Sequence, residues 1–126
     1  VNDASFWLVF MALVVVLFGP GHAVLIGRGL GFDWPGMAFR WADGLAVLLT
    51  LGALALPLRH LLLADLRAAA TKADWRLMAL LVLLPFTGLL ARSGIPGYGF
   101  WLLLHLVAGH VFLWCAPRCQ FARLLR

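Results

Sequence analysis

The sequence predicts an all-α integral membrane protein, a four-transmembrane-helix bundle with both termini cytoplasmic. Three observations point there. The first is composition: 64% of the 126 residues are hydrophobic, 12% are charged, and the mean hydropathy is +1.00. A soluble domain this small keeps a large surface-to-volume ratio and has nowhere to hide so much apolar area. The second is length: the apolar residues gather into four runs, each near the roughly 20 residues that a membrane helix needs. The third is an uneven distribution of Lys and Arg between the connecting segments. No internal repeat is present and no soluble domain fits between the runs, so residues 1–126 read as one transmembrane domain.

The first span is expected over about residues 6–26. Its uninterrupted apolar part, 6–18, is too short alone, and it reaches spanning length only by continuing as helix through Gly19, Pro20, Gly21 and His22. Proline and glycine are tolerated in membrane helices because neighbouring groups satisfy the freed backbone. Asn2 and Asp3 give no positive leading region, so this run does not read as a signal peptide. The second span is expected over 42–63, with Arg59 snorkelling to the headgroups and His60 an interfacial residue beside it. The third covers 75–91, with Pro85 and Gly88 inside, and the fourth 98–116.

Of the ten Lys and Arg, one side of this arrangement receives Arg59, Arg67, Lys72, Arg76, Arg118, Arg123 and Arg126. The other receives only Arg28, Arg40 and Arg92. The richer side is cytoplasmic, which places the segment 64–74 inside and the aromatic, glycine-rich segment 28–41 outside as an interfacial lid. The formal net charge of +5 therefore reads as topology, and no nucleic-acid partner is expected.

Four histidines are present, and an ionisable residue within a span is by default a functional candidate. At a rise of about 1.5 Å per residue, His22 lies roughly 6 Å from the external end of its span and His105 roughly 10 Å from the same face. These two can meet at one level; His110 is deeper and His60 is near the cytoplasmic face. Two imidazoles at matched depth on neighbouring helices suit the axial positions of a heme. A flat macrocycle needs small residues beside its ligands, and Gly19, Gly21 and Gly109 are placed to supply them. Heme propionates are anionic, which makes Arg28, Arg40 and Arg92 their candidate partners.

The stretches "GHAVLIG", "LRAAATKADWRLMALLVLLPFTGLL" and "LLLHLVAGHVFLWCAPRCQFARLLR" resemble the membrane cytochrome b (gamma) subunit of respiratory nitrate reductases and its relatives in sulfite-, heterodisulfide- and hydrogenase-linked complexes. The resemblance implies a quinol-exchanging electron-transfer subunit in a bacterial inner membrane. Its implied partners are lipid, quinone and other subunits of a redox complex, such as an iron–sulfur or cytochrome c subunit. It also implies a further helix ahead of these four. The family's ligand helices each bring two histidines, for two hemes. His22 and His105 match the outer pair, whereas Ala12 and the neighbourhood of Arg123 stand where the inner pair would be. One heme b is therefore expected.

A quinol releases two protons with its two electrons. Arg40, Asp43 and His110 are candidates for a quinone site, with Asp33 or Asp43 as an outward proton path and Tyr98 bordering that face. Cys115 and Cys119, without further ligands nearby, read as helix-packing residues. No C-x-x-C-H motif is present for covalent heme attachment. The competing readings are a heme-free structural or assembly subunit, and a small transporter. The transporter would need acidic residues deep in a span, and none of the five acids lies there.

Overall fold

A computed structural model describes residues 3–115. The described chain is all-helical: α1 (Asp3–Phe18), α2 (Pro20–Leu30), α3 (Phe39–Leu62), α4 (Ala64–Ala69), α5 (Lys72–Arg92) and α6 (Tyr98–Cys115). Three of these, α3, α5 and α6, are long and apolar enough to cross a membrane, and the bent pair α1–α2 makes a fourth span if counted as one. Ala116, Arg118, Cys119, Arg123 and Arg126 lie outside the described residues.

α5 is the central helix, packed along α3 on one side and α6 on the other, while α1 lies against α3. The most buried side chains, Leu77, Met78 and Thr87, all belong to α5. Leu77 and Met78 are surrounded by Leu56, Trp75, Leu81 and Phe112. Large apolar side chains such as Leu13, Leu51, Leu103 and Trp114 point outward. That pattern suits a hydrocarbon solvent, where outward apolar surface carries no penalty. At Gly52 the absent side chain lets α1 approach closely, since a Cβ there would run into Leu8.

The first span is not the single helix expected over 6–26. It breaks at Gly19, and α2 leaves at 58° to α1. The cause is local. Pro20 lacks an N–H and disfavours helical geometry in the residue before it, and Gly19 is accordingly extended at φ −58°, ψ 137°. Pro20 then occupies the first turn of α2, where a missing N–H costs nothing.

A helix end in an apolar solvent leaves carbonyls that must find donors. Here they find them within the next twenty residues. Val15 O accepts from Gly19 N at 2.8 Å and from the His22 ring at 3.2 Å. Leu17 O accepts from Trp34 Nε1 at 2.7 Å, and Phe18 O from Met37 N at 2.8 Å. Trp34 also stacks on Phe18, centroids 6.3 Å apart. Within the segment 28–41 expected as a lid, residues 31–38 form a strap over the break. It is reached through a left-handed turn at Gly31 (φ 77°) that ends α2.

The connection expected as a loop over 64–74 is largely helical. It holds the short α4 and the first residues of α5. Thr71 caps α5 reciprocally with Asp74: Thr71 Oγ1 accepts from Asp74 N at 3.3 Å, and Asp74 Oδ2 accepts from Thr71 N at 2.8 Å. That cap starts the helix at Lys72 instead of Trp75.

Replacing Trp34 by Phe keeps the ring on Phe18 but strands the Leu17 carbonyl. The expected loss is about 1–3 kcal/mol of stability, readable as an earlier unfolding midpoint when the chain in detergent micelles is titrated with SDS.

Candidate functional site

His22 is the third residue of α2, immediately beyond the break, and His105 lies mid-way along α6. Their rings face each other with centroids 6.0 Å apart and planes inclined by 33°. Each ring is held through Nδ1 by a main-chain carbonyl of a different turn of structure. His22 Nδ1 bonds Val15 O at 3.2 Å, across the break. His105 Nδ1 bonds Leu84 O on α5 at 2.9 Å. A carbonyl only accepts, so in each neutral ring the proton is assigned to Nδ1 and the lone pair to Nε2. His60 and His110 bond carbonyls on their own helix in the same way, to Leu56 O at 2.9 Å and Leu106 O at 2.7 Å.

The His22–His105 pair borders an apolar cavity of about 430 Å³ bounded by α1, α3, α5 and α6. That volume falls within the roughly 300–1,000 Å³ usual for small-molecule and cofactor sites. Its ionisable lining groups are His22, His105 and His110, and the rest is Leu, Val, Ala, Pro, Phe and Gly. Ala12, Ala53 and Gly109 are the small residues that open it.

The expected small residues divide. Gly109 lines the cavity. Gly19 is buried at the break, where a Cβ would collide with Val15 O and come within 3.3 Å of His22 Nδ1; its smallness lets the His22 ring lean back. Gly21 faces open space, with nothing within 4 Å of where its Cβ would be. Gly88 on α5 is the glycine beneath the His105 ring, with a built Cβ 3.2 Å from His105 Cε1.

None of the three candidate cations lines the cavity. Arg28 is exposed in the last turn of α2, and Arg40 is exposed at the start of α3. Arg92 bridges to Asp43 at 3.1 Å and lies over the Phe39 ring, 4.3 Å from its centroid. The residues grouped as a quinone site are therefore not together: His110 lines the cavity, while Arg40 and Asp43 stand in the first turns of α3. Asp33 is exposed on the strap and Tyr98 at the start of α6. His60 is buried, edge-on to Trp75 at 6.2 Å, instead of facing outward. Cys115 is half-buried with a free thiol.

Thr87 was not singled out by the sequence as a site residue. It is completely buried, and its Oγ1 lies 3.2 Å from His105 Nδ1. Its one visible sequence signal is the Thr-Gly pair that follows Pro85 in the third span. Among the described residues, no group of three or more His, Cys, Asp or Glu side chains converges as a metal site.

No protein-family model matches the chain, and no solved structure matches it. Over 114 residues it is 34% identical to a protein of Nitratidesulfovibrio vulgaris (strain Hildenborough) whose name, "Protein", states no activity. The match covers 90% of this chain and 50% of that relative, so the chain spans about half the relative's length.

Two glycine substitutions separate the roles of these positions. Gly88→Ala presses a methyl against the His105 ring and is expected to cost about 1–3 kcal/mol, as overpacking does. Gly21→Ala meets nothing and is expected to be neutral or stabilising by at most about 1 kcal/mol. Thermal unfolding of the two variants in one detergent checks both.

Proposed function

We propose that this chain is a membrane-anchor electron-transfer subunit of a respiratory redox complex, of the cytochrome b (gamma) type. In this reading it holds one heme b between His22 and His105 near the external face of a bacterial inner membrane, with both termini cytoplasmic, and exchanges electrons with quinol or quinone. The observation that carries the reading is the geometry of the two rings. An iron gripped by two imidazole nitrogens needs ring centres about 6 Å apart, two metal–nitrogen bonds of roughly 2 Å plus the ring radii. The observed separation is 6.0 Å. Both Nδ1 atoms are already committed to carbonyls, as in metal-bound histidines whose second nitrogen is fixed by an outer partner. Two ligands without a third suit a metal whose other four positions come from a macrocycle.

A heme held here would supply one-electron transfer. This chain's residues hold it, exclude water with an apolar wall and fix both rings from the backbone. Arg92 at the end of α5 and Asp43 in the first turns of α3 form an ion pair, and in this reading that end is the external one, where a quinol's two protons would leave. The catalytic half-reaction of the complex belongs to other subunits, among which an iron–sulfur or cytochrome c protein would take the electron.

One observation favours the alternative of a heme-free structural or assembly subunit: each of the four histidines already bonds a carbonyl. A spectrum separates the two. Protein purified from membranes and reduced with dithionite is expected to show the α band of b-type heme, at about one heme per chain by pyridine hemochromogen assay. His22→Ala and His105→Ala should each abolish the band, and His60→Ala should leave it. A colourless wild-type chain selects the structural reading.

For the quinone step, Asp43→Asn is expected to slow reduction of the heme by an added short-chain quinol several-fold while leaving the α band intact. Unchanged stopped-flow rates remove Asp43 from that step.

A further inference from the structure

α5 brings no histidine to the site, yet it makes three contacts with one. The His105 ring lies on the bare Cα of Gly88, where a Cβ would be 3.2 Å from Cε1. Its Nδ1 is 2.9 Å from Leu84 O and 3.2 Å from Thr87 Oγ1. The direction of these bonds follows from what each group has left. Thr87 spends its one proton on the main chain, 2.7 Å from Leu83 O, so its oxygen meets His105 Nδ1 as an acceptor. The Nδ1–H is therefore shared between two oxygens of α5. His22 has a single, longer partner, Val15 O at 3.2 Å. The pair is unequal, and the inequality originates in a helix that carries neither ring.

We propose that Thr87 is a positioning residue: with Leu84 O it locks the His105 ring and its tautomer, and by accepting from Nδ1–H it makes Nε2 the more electron-donating nitrogen of the pair. The electronic half of this proposal rests on the heme reading. A ligand imidazole whose far N–H is pulled by an acceptor gains basicity, which favours the oxidised iron and lowers the midpoint potential. The hold on the ring itself does not depend on heme. Thr87 is completely buried and touches the site only through His105, so it has no role as a ligand of its own.

The test has two arms on the full chain. In the first, heme-free protein labelled with ¹⁵N-histidine is studied by NMR in micelles, the His105 Nδ1–H resonance being assigned by its loss in His105→Gln. Thr87→Val, close in shape but without the acceptor, should move that proton upfield and speed its exchange with water several-fold. Thr87→Ser should restore both, and the His22 resonance should not move. In the second arm, protein carrying heme is titrated potentiometrically. Thr87→Val should raise the midpoint potential with heme content unchanged, and Thr87→Ser should return it to the wild-type value. Thr87→Ala gives the same signs and replaces the valine variant should that one not fold. A His105 proton indifferent to Thr87→Val overturns the proposal. A shifted proton with an unchanged potential overturns its electronic half. A wild-type chain that binds no heme but shows the proton shift sinks the heme reading and upholds the hold of Thr87 on His105.

Discussion

A carbonyl released from a helix inside hydrocarbon has no water to turn to, and this chain is organised around that fact. Pro20 ends α1 in the middle of an apolar run, and the freed carbonyls of Leu17 and Phe18 collect donors from Trp34 and the Met37 amide, while Val15 O, already bonded by Gly19 N, takes the His22 ring as a second donor. One of those donors is an imidazole. That ring is held at the break with its centroid 6.0 Å from that of His105. A main-chain contact at the break and a candidate ligand site thus share one side chain. The strap is part of the same solution: without residues 31–38 folded back on α1, the bend at Gly19 would leave two carbonyls bare.

The second ring is secured on different terms. α5 carries the three most deeply buried side chains and is the helix packed along both α3 and α6, so whatever it holds is held firmly. Leu84, Thr87 and Gly88 present an acceptor, a second acceptor and a hollow on one face, and His105 lies in it. The cavity beside the rings has walls from four helices and three ionisable side chains, all histidine. In such a dry setting a polar contact is worth more than in water, and an unmade one costs more.

Much of this is legible in the sequence. Run length marked the spans, since α3, α5 and α6 can hardly do otherwise with such composition. Helix rise paired His22 with His105, and the two rings do lie 6.0 Å apart, although the bend at Gly19 means that a count of residues no longer measures the depth of His22. Three things were not legible, each for a physical reason. A proline after a glycine is compatible with a kinked continuous helix or with a break, and what decided it was the strap at residues 31–38, a tertiary matter. The early start of α5 was written in Thr71 and Asp74, but a capping box in a charged connection looks like any polar loop. The roles of the glycines depend on which helices adjoin. Gly88 matters because α6 lies on α5, whereas Gly21, beside a site histidine in sequence, faces outward. The Arg92–Asp43 bridge, between residues far apart in the chain, is hidden for the same reason.

The strap also gives the site an order of birth. His22, the carbonyl that holds it and the residues that close the break all precede α6 and lie close together in the chain, so this half can assemble before His105 is synthesised. His105 arrives on the last described helix, and with it the fourth wall of the cavity. Any prosthetic group seated between the rings must therefore be captured after α6 has entered the bilayer, and truncation ahead of α6 would leave a well-formed half-site with nothing to close on.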